Sequence, residues 1–265
     1  MKRKLFDHHQ KTIDNLVSEY KDDPRFKAII IGGSVAKGVA RSDSDVDIMI
    51  VATEEEFAKR SAANDYFINR TDLADYPGGF IDGKVIDVHY LADVDKNGNE
   101  PSRAAFDGAF VAYSNLPDLD DIIARIALYP KEKQQERMHI FYCMSFIQNW
   151  LMGEADRHDN LYTKSRAANQ LVLYAGRLIL AYNQVLFPYH KWFFEYLKRC
   201  ESLPEGFMEN AQKLLTNPCL DNANLLFESV QDFNDWGISD LEAYTFFMNE
   251  VEWSWRDGVP SFEDL

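Results

Sequence analysis

The chain has 265 residues, 46% of them apolar, enough for one large domain or two modest ones with a proper core. Its net charge of −15 and pI near 4.8 oppose binding to nucleic acid, which needs Lys and Arg concentrated to displace counterions from the phosphate backbone. Three scattered cysteines, Cys143, Cys200 and Cys219, lack metal-ligand spacing, and neither a secretory leader nor a bilayer-crossing apolar run stands out, so a reduced, cytoplasmic protein is the expectation.

Residues 4–20 place Leu5, Phe6, Ile13, Leu16 and Val17 among charged positions at rough helical spacing, and Asp22-Asp23-Pro24 ends that helix. A strand over Ala28–Ile31 follows, then the turn Gly32-Gly33-Ser34, a short helix, and a second strand running to Val51. Glycines in such a turn let backbone amides approach an anion closely. On the second strand Asp45, Asp47 and Met49 share one face, while Val46, Ile48 and Ile50 turn to the core. Two carboxylates then project together, roughly 7 Å apart at Cα by strand rise. They repel each other unless a cation sits between them, which points to a magnesium-type site.

Gly33-Ser34, then Ala36, Gly38 and Ser44-Asp45-Val46-Asp47, resembles the defining motif of the polymerase-beta-type nucleotidyltransferases: Gly-Ser, a spacer of about ten residues, then Asp-x-Asp. Chain length and a long helical second half resemble the antibiotic nucleotidyltransferases of the aminoglycoside adenylyltransferase kind. The resemblance implies a third metal-binding carboxylate on a neighbouring strand, for which Asp87 in KVIDVHYL is the candidate, and a triphosphate held at Gly33 and Ser34.

Thr53–Ala63 has a Thr cap, an acidic first turn and later basic residues, as a surface helix should. Residues 64–78 are polar and read as a loop. Phe80–Val85 reads as a hairpin with Asp82-Gly83 as its tight turn, and the outgoing strand puts Val85, Asp87 and His89 on one face. An aspartate within so apolar a strand is costly unless paired or metal-bound. Residues 92–104 read as a polar connection and Phe106–Tyr113 as a last strand of a small mixed sheet.

From Asp118 the pattern turns helical, and Pro130 marks the expected boundary between a nucleotidyltransferase domain over 1–129 and an all-helical, acceptor-binding domain over 130–265. Helices are predicted near 132–153, 162–187, 189–200, 205–216, 221–235 and 239–255. The fold class is α+β: a small mixed sheet with helices, followed by an α bundle. Lys164, Arg166, Arg177 and Lys191 are the cations set in or beside apolar helical sequence. Pro188-Tyr189-His190-Lys191-Trp192 resembles segments of uncharacterised bacterial nucleotidyltransferases, placing Lys191 to reach a phosphate and Tyr189 to pack on a base.

The reaction implied is transfer of a nucleoside monophosphate, from ATP or another NTP, to a hydroxyl of a small molecule such as an aminoglycoside-like antibiotic. Two Mg²⁺ ions are implied on Asp45, Asp47 and Asp87. A protein acceptor, or a nucleotide-binding protein without catalysis, are the alternatives.

Overall fold

The structure, a computed structural model, describes residues 5–258. By contacts the chain divides into two compact units, residues 1–129 and 130–265.

The first unit opens with α1 (Asp7–Tyr20), whose buried side chains His9, Thr12, Ile13 and Leu16 recur at helical spacing. Strand β1 (Phe26–Ile31) leads into the short helix α2 (Gly33–Lys37), β2 (Val46–Ala52) and α3 (Glu54–Ala62), the last capped by the Thr53 side chain. Next come β3 (Phe67–Arg70), β4 (Ile81–Ile86), α4 (Val88–Asn97), α5 (Glu100–Ala104), β5 (Phe110–Ser114) and α6 (Leu119–Ile126). The strands form one sheet in the order β3-β4-β2-β1-β5. β1 runs antiparallel to β2 and β5, β3 antiparallel to β4, and β2 parallel to β4.

The two central strands are apolar on both faces because both faces are covered. On one, Ile29, Ile31, Val46, Ile48, Ile50, Ile81 and Val85 pack with Ile13 and Leu16 of α1. On the other, Ala28, Ile30, Met49, Val51 and Ile86 pack with Leu91, Val94, Phe106, Ile123 and Ile126.

Three segments depart from the expected layout. Residues 67–70 are strand, although their surroundings are polar, because β3 is an edge strand that buries Ile68 alone. Asp82-Gly83 is no turn. It lies inside β4, where a Cβ on residue 83 would collide with the Ile48 carbonyl of β2, so the glycine permits close strand approach. β4 stops at Ile86, and residues 88–104 form α4 and α5 rather than a strand and a polar connection.

The second unit is helical throughout the described residues: α7 (Gln134–Arg157), α8 (Leu161–Tyr182), α9 (Phe193–Leu197), α10 (Phe207–Thr216), α11 (Leu220–Phe233), α12 (Asp240–Phe247) and α13 (Ser254–Asp257). Sheet unit followed by helical unit is an α+β chain. Among the described residues no helix is long and apolar enough to cross a membrane.

Candidate active site

Asp45 immediately precedes β2 and Asp47 is its second residue, both half-buried at the strand's entrance, where the apolar cover of the sheet begins. Parallel pairing sets Asp47 against Asp82 of β4, on the same face. A carboxylate oxygen from each of Asp45, Asp47 and Asp82 lies within 4.8 Å of the other two. Burial, and then the charge of Asp45, raise the Asp82 pKa above the ordinary carboxylate range. Three carboxylates so close are a donor set suited to a hard divalent cation.

Asp87 does not join them. It sits five residues further along the chain, roughly 16 Å away by strand rise, where it is only 8% exposed and caps α4 by accepting a hydrogen bond from the Tyr90 amide at 2.8 Å. The cost of burying this carboxylate is met by a helix terminus. His89 points elsewhere too, its Nε2 3.0 Å from a Glu54 carboxylate oxygen on the surface. The sequence signal for Asp82 was hidden by its neighbour, because Asp-Gly reads as a turn until the parallel register is known.

The turn after β1 is built around the same carboxylates. The Gly32 amide donates to the Asp47 carbonyl at 2.9 Å, tying turn to strand. Gly33 has φ +61°, and a Cβ on it would overlap the Asp47 carboxylate, so both backbone angle and space demand glycine. Beside it the Ser34 Oγ is buried and makes no hydrogen bond. An orphaned hydroxyl next to an acidic cluster fits a site made for a ligand with acceptor oxygens. Lys37, one turn on, is buried and engaged with the Ala104 and Asp107 carbonyls at 3.3 and 2.9 Å.

Residues 12–89 match the model of the family described as nucleotidyltransferase domain, NTP_transf_2, a stretch that contains Gly33, Ser34, Asp45, Asp47 and Asp82. The first unit carries a nucleotidyltransferase domain. A nucleotidyltransferase-like protein from Exiguobacterium sibiricum 255-15 is similar in structure, at 12% identity and a TM-score of 0.50, over 97% of this chain and 83% of that one. No curated protein matches the chain. The matched stretch contains the acidic cluster just described.

The cations singled out in the sequence, Lys164, Arg166, Arg177 and Lys191, belong to the helical unit. Lys164 is held by Asp156 at 3.2 Å and Asp159 at 3.1 Å, which accounts for the acidic turn between α7 and α8. The Arg177 guanidinium lies between the Phe141 and Phe187 rings, 4.2 and 4.7 Å from their centroids. Lys191 is exposed, its ammonium 5.8 Å from the Trp192 ring centroid. Tyr189 is 60% exposed and adopts φ 71°, ψ 172°, a region kept almost to glycine at a cost of about 1–3 kcal/mol.

Proposed function

We propose that the chain is a magnesium-dependent nucleotidyltransferase that moves a nucleoside monophosphate, AMP from ATP first of all, to a hydroxyl of a small molecule and releases pyrophosphate. The observation that carries this reading is the convergence of Asp45, Asp47 and Asp82 to within 4.8 Å at the mouth of the sheet. Asp45, Asp47 and Asp82 would hold the magnesium, two ions in our reading. Bound there, magnesium supplies charge neutralisation for the triphosphate and a lowered pKa for the acceptor hydroxyl.

The chain's own residues divide the rest of the work. The Gly33 turn lies directly against the Asp47 carboxylate, and beside it the Ser34 hydroxyl is a donor without a protein partner, suited to a phosphate oxygen. Asp82, beside Asp45 and Asp47, is the carboxylate we assign to take the hydroxyl proton. The acceptor oxygen then bonds to the α-phosphorus as the bond to the pyrophosphate oxygen breaks. Positioning and charge neutralisation account for most of the rate in such transfers. We assign choice of acceptor to the helical unit, with Lys191 and Tyr189 as its candidate ligand contacts; exposure of both and the strained backbone of Tyr189 support that assignment. The net charge of −15 favours a cationic acceptor of the aminoglycoside type by long-range steering.

The test is turnover of the full chain with Mg²⁺ and ATP labelled at the α-phosphorus, against a panel of hydroxyl compounds that includes aminoglycosides. Acceptor-dependent pyrophosphate release is expected, falling at least about 10³-fold in Asp47→Ala. Label found on protein instead would move the acceptor to a polypeptide. Failure to bind Mg²⁺-ATP at millimolar concentration would leave a non-catalytic protein of the same fold.

A further inference from the structure

Asp45 lies outside the β2 ladder, so strand pairing does not hold its peptide on the upstream side. Downstream the Val46 amide donates to the Phe80 carbonyl at 3.0 Å. Upstream two side chains from distant segments converge on one atom, the Ser44 carbonyl oxygen. The Tyr76 hydroxyl donates to it at 2.7 Å, and His9 Nε2 lies 3.0 Å from it. With a carbonyl as partner, that nitrogen must carry the proton. His9 is wholly buried, and its ring packs edge-on against Tyr76 at 5.2 Å between centroids.

This arrangement is supported from behind. Tyr76 packs at a tilt against His8, with 4.4 Å between ring centroids, and its ring folds back over Gly79, where a Cβ would lie 2.6 Å from Cε1 and Cζ. The segment that carries Tyr76 is stitched to α1 by Arg70–Glu19 at 2.9 Å, by Asn15 donating to the Leu73 carbonyl at 3.0 Å, and by the Lys11–Asp75 ion pair. Burial, and the charge of Asp45, raise the Tyr76 pKa, which keeps its hydroxyl a donor.

We propose that His9 and Tyr76 are positioning residues: they clamp the Ser44 carbonyl and so hold the Asp45 carboxylate within reach of Asp47 and Asp82 for metal binding. This rests on the reading of the three aspartates as the metal site. Like charges drive Asp45 away from its neighbours; upstream, among the described residues, the Ser44 amide and hydroxyl pair only with nearby Arg41, at 3.1 and 2.9 Å, so His9 and Tyr76 tie this peptide to the body of the unit against that repulsion. Groups that orient a ligand typically change metal affinity by an order of magnitude or more when removed.

The test is Mn²⁺ binding to the full chain, followed by electron paramagnetic resonance. The wild type is expected to bind, with Tyr76→Phe and His9→Leu each weakening affinity about tenfold. His9→Gln, whose amide nitrogen takes the place of Nε2, is expected to restore most of the loss. Melting temperatures identify any variant that fails to fold; Tyr76→Phe, which removes one oxygen from a half-buried ring, decides the matter if the His9 variants do. Wild-type affinity in Tyr76→Phe and His9→Leu would overturn the clamp while leaving the metal site standing. No Mn²⁺ binding by the wild type would overturn both.

Discussion

Asp82 and Asp87 are five residues apart on one apolar stretch, and their environments give them opposite tasks. Asp87 accepts an amide hydrogen bond at a helix start, so Asp87→Asn preserves the cap. Asp82 faces two other carboxylates and has its pKa raised by burial and by Asp45. A raised carboxyl pKa means that the metal-free folded protein holds this proton more tightly than the unfolded chain does. Ionisation of Asp82 therefore costs stability, and the cost grows as pH climbs from the ordinary carboxylate range through the folded pKa. Asp82→Asn is expected to raise the melting temperature of the metal-free protein at neutral pH, with the gain vanishing in acid, and to lower turnover by about 10³-fold. Asp87→Asn is expected to keep turnover within about threefold, since Asn caps a helix start about as well as Asp does. Melting curves across pH and parallel turnover assays check both, and the reverse order of the two activities would return the third ligand to Asp87.

At the scale of elements, what could be read from the sequence depended on whether the signal was local. Gly33-Ser34 and the Asp45/Asp47 alternation are local, and the structure brings the turn and the two aspartates together around one carboxylate. Thr53 as a helix cap and the Leu119–Ile126 helix were equally legible, since capping chemistry and the 3.6-residue period are short-range. The parallel pairing of β2 with β4 is not local, and with it went the register that sets Asp82 opposite Asp47. Gly83 was misread for the same reason: a glycine that makes room for a neighbouring strand looks like a turn former until the neighbour is known. The β3 strand escaped because an edge strand with a single buried side chain carries almost no pattern. His9 and Tyr76, 67 positions apart, could not be linked by any spacing rule. From the close β2–β4 approach, Gly83→Ala is expected to destabilise the chain by about 2–3 kcal/mol through the clash with the Ile48 carbonyl, and to disturb the Asp47–Asp82 register. Urea denaturation measures the first, and Mn²⁺ affinity the second. A variant with unchanged stability would show that the two strands have slack.

At the scale of the molecule, the sheet unit has a construction suited to holding charge. Two central strands buried on both faces form a rigid floor, and the acidic cluster stands at the end of that floor where the apolar cover stops. The chain keeps a net charge of −15, yet gathers three carboxylates there, an arrangement whose repulsion a bound cation, or a proton on one carboxylate, relieves. The helical unit is packed around aromatic side chains such as Tyr142, Phe227 and Trp236, and presents Tyr189 and Lys191 to solvent. Its pattern of helices was readable from periodicity, whereas the pairing of Lys164 with Asp156 and Asp159 was not, because ion pairs across a helix turn follow no repeat.

The central claim is that Asp45, Asp47 and Asp82 bind a divalent cation together with a nucleoside triphosphate. It is tested most directly by the thermal stability of the full chain, titrated with ATP in the presence and absence of Mg²⁺, for the wild type and Asp47→Ala. A ligand that binds the folded protein alone stabilises it by about 2.7 kcal/mol at a hundred times its dissociation constant, a shift of several degrees. The account predicts such a shift only when Mg²⁺ and ATP are both present, and none in Asp47→Ala. An equal shift with ATP alone, or one that survives in Asp47→Ala, would contradict it.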